Sequence, residues 1–331
     1  MSDIPIPSFN YSAFEAYFRG SRKEIKERLS VYLEPVKLVM HNASSSALDI
    51  GCGRGEWLEL LRENRISAEG IDSNHEFVKY CTECGLDVHE ADLLTFLEEE
   101  DSATYTLITG FHIIEHIPKE KHLWFLDRIF RRLAPGGMAI LETPNPENVT
   151  VGSCNFYIDP THLRPVPPML LHFLALQAGF STPMIVRINR DTVGKPLRYM
   201  AKENPDAALY NQLLDIVASR LMQAPDYALI VFASPSPSSE MLNCLAAINE
   251  FNDAFILPPE IISENETDEH SQQELTVQHE MALLKKHVHD LYPSGNATDT
   301  DEDDIPLNEY PESLRNIFHQ LHRAYRNTEK Q

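Results

Sequence analysis

Residues 47–61, ALDIGCGRGEWLELL, decide how the rest of the chain is read. A short apolar run, SALDIG, reads as a strand, and EWLELLREN, with its helical spacing, reads as the helix that follows. Between them Gly51, Gly53 and Gly55 fall at alternate positions, where they let the chain bend sharply and approach a ligand without side-chain collision. The helix N-terminus behind them supplies amide donors for an anion. A strand that turns into a helix through a glycine-rich loop places that loop at the ligand crevice of an open sheet.

The alternation continues outward. AEGID, LDVHEAD, YTLITGF and GMAILET read as strands, and HEFVKYCTECG and KEKHLWFLDRIFRRLAPGG as helices. Beyond residue 168, PMLLHFLALQAGF is a helix, PMIVRINRD a strand, Pro205 to Met222 a helix and DYALIVFAS a strand. Strand and helix in such order imply an α/β fold, a Rossmann-like, doubly wound, mostly parallel sheet of seven strands covered on both faces. The segment before it, 11–40, has helical spacing interrupted at Gly20, with Ser21 and Glu24 placed as a capping box, so Arg19 falls in a turn between two helices. The expected organisation is an N-terminal helical lid over 1–40, the α/β domain over 41–235, an additional helix over 236–257, and an acidic, partly flexible helical tail over 258–331.

Composition narrows the function. A formal net charge of -22 over 331 residues argues against nucleic acid as partner, because phosphate neutralisation needs a basic surface. Five scattered cysteines fit a reducing compartment, and the start, MSDIPIPSFN, has no basic run before an apolar one. A cytoplasmic protein without a transmembrane segment is expected, peripheral at the inner membrane if its terminal amphipathic segment SLRNIFHQLHRAYRN meets a lipid surface. In TVQHEMALLKKHVHDL the apolar positions Val277, Met281, Leu284, Val288 and Leu291 follow coiled-coil spacing, which suggests self-association or a glycan-assembly partner.

The glycine loop separates two ligand classes. Dinucleotide sites favour G-x-G-x-x-G, whereas here an acid, Asp49, precedes alternating glycines, a register that suits S-adenosylmethionine. Asp72, ending the second strand, is placed for ribose hydroxyls, and Asp92 with Leu93 for the adenine amino group and ring. In order along the chain, LDIGCGRGEWLELL, GID, ADLLTF, FHIIEHI and LAPGGMAILETPNP resemble a class I S-adenosylmethionine-dependent methyltransferase. More narrowly, YFRGSRKEIKERLSVYL and NFYIDPTHLRPVPPMLLHFLALQAGF resemble the methyltransferases that modify or terminate bacterial O-antigen polysaccharides, over roughly residues 10–234.

The resemblance implies an O-methyltransferase that caps a terminal sugar of mannose, rhamnose or Kdo type in lipopolysaccharide biosynthesis, with S-adenosyl-L-methionine as donor. It places Phe111 and His112 beside the donor and supports Arg19 as partner of its carboxylate, with Tyr17 stacking nearby. In-line methyl transfer needs a base at the acceptor hydroxyl. The loop NFYIDPTHLRPVPP, 155–168, is stiffened by Pro160, Pro165, Pro167 and Pro168 and offers His162 as that base, with Asp159 as either its orienting partner or a sugar-hydroxyl ligand and His116 as a second candidate. Asn145, Asn155, Tyr157 and Arg164 are the expected acceptor contacts. No metal is expected: HIIEH at 112–116 matches a zinc-protease spacing, but Pro118 follows and the segment straddles a strand end. A phosphate or small lipid or quinone acceptor, and a non-catalytic scaffold, are the alternatives.

Deleting residues 258–331 and measuring mass in solution tests the tail-mediated oligomer. A smaller particle, beyond the mass removed, is expected; a mass lower only by the deleted segment removes the idea.

Overall fold

The computed structural model describes residues 10–40, 46–98, 105–189, 197–220, 223–234, 236–253 and 256–257. All belong to the first of the two compact units, Met1–Glu260. The heptad segment and the terminal amphipathic segment lie outside the described residues.

Three short helices come first, α1 (Tyr11–Phe18), α2 (Arg22–Leu29) and α3 (Leu33–Val39). The Ser21 and Glu24 capping box forms as the spacing predicts, and Gly20 takes a φ of 92° in the turn between α1 and α2. Next come β1 (Ala47–Ile50), α4 (Glu56–Glu63), β2 (Ala68–Asp72), α5 (His75–Glu83), β3 (Val88–Glu90), α6 (Leu93–Glu98), β4 (Tyr105–Phe111), α7 (His122–Arg132) and β5 (Leu133–Pro144). After these follow α8 (Val149–Ser153), α9 (Pro168–Gln177), β6 (Met184–Ile188), β7 (Leu197–Arg198), α10 (Ala207–Arg220), β8 (Asp226–Phe232), α11 (Ser239–Asp253) and β9 (Ile256–Leu257).

The main sheet has seven strands in the order β3-β2-β1-β4-β5-β8-β6, while β7 and β9 pair separately. From β3 to β5 all pairs are parallel, and β8 runs antiparallel to both β5 and β6. This is the Rossmann-like, mostly parallel architecture that the alternation predicts. The strand order reverses between β1 and β4, so the crevice of the fold opens at their carboxyl ends, where the glycine loop begins.

Each face of the sheet buries its own core. Phe125, Leu126 and Ile129 of α7 and Leu171 and Ala175 of α9 cover one face. Ile25, Tyr32 and Val36 from the N-terminal helices, Trp57 and Leu61 of α4, and Met241 and Leu245 of α11 cover the other. The N-terminal helices are therefore packed into the domain by the same hydrophobic burial that holds α4. Among the described residues no helix is long and apolar enough to cross a membrane.

Two local expectations change. The LAPGG segment leaves the helix and opens β5, because α7 stops at an extended Leu133 before Pro135 and a left-handed Gly136. The loop after β5 begins with helical turns, α8 and a 3-10 turn over Asn155–Ile158. Asn148 caps α8 by accepting from Val151 N–H, and no proline falls between Pro146 and Pro160, so that stretch is free to coil.

Phe111 is corrected outright. The residue is 5 % exposed and its ring lies 5.3 Å from Trp57 and 5.7 Å from Tyr32, so the side chain is taken up by the core beneath the N-terminal helices and is not presented to the crevice. Replacing Phe111 with alanine should cost roughly 3–5 kcal/mol of unfolding free energy in a urea titration, the range for deleting a buried aromatic ring. A loss under about 1 kcal/mol would show that the ring is not part of the core.

Candidate active site

The glycine loop is built from backbone hydrogen bonds that extend β1 and β2. Gly51 N–H and Cys52 N–H both donate to Ile71 O, at 2.8 and 3.0 Å. Gly51 and Gly53 have φ values of 66° and 52°, and a Cβ on Gly51 would collide with Ile113. Asp72 closes the loop from the second strand: Oδ2 accepts from Gly53 N–H and Oδ1 from Asn74 N–H, each at 2.8 Å. Asp49 is 2 % exposed and accepts from Thr109 Oγ1 at 2.7 Å. Burial pushes its pKa up to about 7, against the opposing pull of that hydrogen bond and the Arg19 charge.

Above the loop lies α1. The guanidinium of Arg19 pairs with Glu15 on the same helix face, and both groups stand over Gly53. A Cβ on Gly53 would lie 3.5 Å from Arg19 Nη1 and 3.7 Å from Glu15 Oε1. Arg19 thus reaches the loop as expected. Tyr17 does not: it is 82 % exposed and packs edge-on against Phe18, because it falls on the outer face of α1. The inner face carries Tyr11, whose hydroxyl donates to Asp159 Oδ2 at 3.1 Å. Asp92, after β3, caps α6 by accepting from Thr95 N–H and Oγ1, and Leu93 packs partly buried against the core.

At the end of β4 a second group of charges gathers. His112 has a φ of 58°, unusual for a residue with a Cβ, and its ring lies between two carboxylates. Nδ1 is 3.3 Å from Glu115 Oε1 and Nε2 is 3.3 Å from Glu142 Oε1. Burial works to lower the imidazole pKa, but Glu115 and Glu142, with Asp226 behind them, outweigh it and bring it to about 10. His112 is therefore an imidazolium at neutral pH. Glu115 is fully buried; burial works to raise its pKa, and His112 outweighs that and holds it below the usual range. Tyr32 donates to Glu142 Oε2 at 2.7 Å, Thr143 to Glu115 Oε2 at 2.9 Å, and Asn189 to Asp226 at 2.8 Å.

The proline-rich loop closes over this group. His162 Nδ1 lies 2.6 Å from Phe156 O, so that nitrogen carries the proton and donates it, which leaves Nε2 as the lone-pair nitrogen. Nε2 is 3.8 Å from Asp159 Oδ2 and 3.9 Å from Glu115 Oε1. Burial holds the His162 pKa below its ordinary value, which keeps the ring neutral. The His116 ring packs edge-on to His162 at 4.8 Å, and its Nδ1 is 3.1 Å from Thr161 Oγ1. Asp159 accepts from Tyr11 and also from Thr161 N–H and Oγ1. The three expected catalytic residues are thus neighbours.

The expected acceptor contacts divide. Tyr157 is 63 % exposed and Asn155 is exposed, while Arg164 is half-buried and its charge helps lower the His122 pKa after burial. Asn145 is corrected: it is fully buried, its Nδ2 donates to Ala224 O, and its Oδ1 accepts from Glu147 N–H. Both polar ends hold backbone groups and the side chain is fully buried, so it does not present itself to a sugar. Glu115, Glu142, Asp226, Tyr11 and Glu15 were not singled out from the sequence as site residues. The signal for the first two was an acid at the carboxyl end of an otherwise apolar strand or in the turn after it.

The HIIEH spacing does not form the continuous helix a zinc protease needs, since a left-handed His112 is followed by a 3-10 turn over Ile114–His116. Two clusters still have cation-binding residue types within 4.8 Å, Glu115 with His116 and His162, and His112 with Glu142 and Asp226. In the second the imidazolium already supplies the positive charge.

Residues 17–183, half of the chain, match the family model described as a methyltransferase domain. A SAM dependent methyltransferase from Archaeoglobus fulgidus is 30% identical, with a TM-score of 0.60 over 68% of this chain and 100% of that one. Ubiquinone biosynthesis O-methyltransferases are also similar. That of Psychrobacter arcticus is 26% identical over 181 residues, covering 50% of this chain and 69% of the relative. That of Burkholderia ambifaria is 30% identical over 123 residues, covering 34% and 52%. The chain belongs to the methyltransferase-domain family, and its fold and glycine loop are those of a class I S-adenosylmethionine-dependent methyltransferase. S-adenosylmethionine is its cofactor.

The residues present fit that donor: a glycine cradle open towards Arg19, with acids at the ends of β1 and β2. A carboxyl with a folded pKa of about 7, against roughly 3.9 when unfolded, favours the protonated fold. Its stabilising effect is complete below the unfolded value and is lost as pH rises through the folded one. Without ligand, Asp49→Asn should therefore gain thermal midpoint over wild type between about pH 4 and 7, on the order of several °C, and hold that gain above pH 7. A difference constant across this range would mean that Asp49 ionises normally.

Proposed function

We propose that the protein is an O-methyltransferase that methylates a terminal sugar of a bacterial surface polysaccharide such as O-antigen, and so caps chain growth. The observation that carries this reading is His162. Its Nδ1 proton is committed to Phe156 O, and its basic Nε2 faces Glu115 and Asp159 from a loop over the donor crevice.

S-adenosylmethionine supplies a methyl group already activated on a sulfonium sulfur. The chain's part is to orient the acceptor and remove its proton. Nε2 of His162 would take the proton from the acceptor hydroxyl as that oxygen receives the methyl group and the donor's sulfur leaves. Glu115 and Asp159, both short of 4 Å from Nε2, stabilise the imidazolium that results. His116, 4.8 Å away ring to ring, is the second candidate for this work. Exposed Tyr157 and Asn155, with Arg164, would meet the sugar and any anionic group it carries.

Of the N-terminal helices α1 would act as the lid, while α2 and α3 stay packed in the core. The Tyr11–Asp159 hydrogen bond ties α1 to the acceptor loop across 148 residues of sequence, so donor cover and acceptor loop would open and close together. Localisation at the inner face of the membrane, and a glycan-assembly partner or self-association through the C-terminal segments, belong to the same reading.

A second reading, a small lipid or quinone acceptor, is favoured by the relatives named ubiquinone biosynthesis O-methyltransferase and by Ile158 and Leu163, 43 % and 56 % exposed, beside the site. A phosphate acceptor, or a scaffold without catalysis, would leave both sugar and phenol unmethylated.

Transfer of labelled methyl to a panel of mannose-, rhamnose- and Kdo-terminated mimics and a prenylated catechol separates the readings. Label on one sugar, reduced roughly 10²–10⁴-fold in His162→Ala with donor affinity unchanged, is the expected result. Label on the catechol alone would replace the glycan reading, and a fully active His162→Ala would remove the base.

A further inference from the structure

Glu15 lies in the middle of α1, four residues before Arg19, so the two side chains share one helix face. That face looks down on the glycine loop, where both groups lie within 4 Å of the position a Cβ on Gly53 would take. Arg19 engages one carboxylate oxygen, Oε1. The other, Oε2, is buried and has no hydrogen-bond partner among the described residues, in a side chain only 5 % exposed. An ionised oxygen withdrawn from water without a donor is costly, and such groups in folded proteins call for a reason.

The surroundings sharpen the point. Asp49 and Asp72 both sense the Arg19 charge, Asp72 also senses Glu15, and Arg19 senses Glu56. Glu56 is already paired with Arg54 and Arg22, which leaves Arg19 as the guanidinium shared by Glu15 and Asp72, a balance that accommodates a further cation. The methyl donor carries at one end an α-carboxylate and an α-ammonium. Arg19 suits the first, and nothing in the reading so far receives the second.

We propose that Glu15 is the residue that binds the donor's α-ammonium, with Oε2 as acceptor, so that the Glu15–Arg19 pair recognises the amino-acid end of the donor as a zwitterion. The pair is a preformed complement: Glu15 holds the guanidinium in place and keeps its second oxygen for the ligand's N–H groups. The role depends on the donor and is independent of the acceptor proposed above.

The competing account is that Glu15 merely occupies Arg19 until the donor carboxylate displaces it. The two differ in sign, since removing a placeholder tightens binding and removing a ligand weakens it. Calorimetric titration of the full chain and of Glu15→Gln, each with S-adenosylhomocysteine and with its deaminated analogue, decides between them. The analogue keeps the carboxylate and lacks the amino group. We expect Glu15→Gln to lose roughly 10- to 100-fold in affinity for S-adenosylhomocysteine, the range of a charged hydrogen bond, and to bind the analogue as wild type does. The ratio of the two affinities is read within one protein preparation, so loss of folded material cancels. An unchanged ratio overturns the proposal, whether both ligands weaken together or neither does. Tighter binding of both ligands by Glu15→Gln would establish the placeholder instead.

Discussion

The site depends on one carboxylate, that of Asp72, with an amide hydrogen bond on each oxygen. Gly53 donates from the loop after β1 and Asn74 from the loop after β2, so a single side chain locks two crossover connections into one rim. Without it the Gly53 N–H would lose its tie to the second strand, and the left-handed turns would rest on the bonds to Ile71 O, the Gly55 N–H to Cys52 O turn and the side chains of Cys81 and Arg22. Because that rim is fixed, the face of α1 above it meets a surface of defined shape, and Arg19 and Glu15 have a position to act on.

Around the rim the chain concentrates buried charge to an extent that only mutual pairing makes tolerable. Glu56, Glu115 and Glu142 are each less than about a twentieth exposed. A buried ion is costly unless paired, and here the pairing is done by Arg54 for Glu56 and by His112 for Glu115 and Glu142. His112 is the central member. Its left-handed backbone turns the ring between two carboxylates that come from different segments, and their field keeps it protonated. The proton on His112 in turn keeps Glu115 ionised, and Glu115 is the group that His162 faces. An electrostatic path therefore runs from the end of β4 to the acceptor loop, and burial strengthens each of its steps.

Much of this organisation can be read in the residues themselves. Alternating apolar runs and helical spacing specify the strands, and the Ser21–Glu24 capping box and the three glycines specify turns, because backbone conformation at those points is a property of the local residue types. Asp49, Asp72 and Arg19 are legible for the same reason, since strand ends and the turn at Gly20 place them at the crevice whatever the packing. Phe111, Tyr17 and Asn145 are not. Phe111 is the last residue of a buried strand whose side chains alternate between faces, and which face receives the Trp57 and Tyr32 rings is settled only when α4 and the N-terminal helices dock. Tyr17 and Tyr11 sit on opposite sides of one short helix, and its spacing alone does not say which side meets the loop.

By itself, then, the sequence determined the layered α/β fold, the glycine loop and the acids at its strand ends, all set by local periodicity and backbone preference. Tertiary structure alone decided the partners of charge. Glu115 meets His162 across the acceptor loop, Tyr11 meets Asp159, and Glu142 receives Tyr32 from a helix 110 residues earlier. Such pairings rest on distances between segments far apart in the chain, and the protonation of His112 follows from them, because an imidazole's pKa is fixed by what surrounds it and not by its neighbours in sequence.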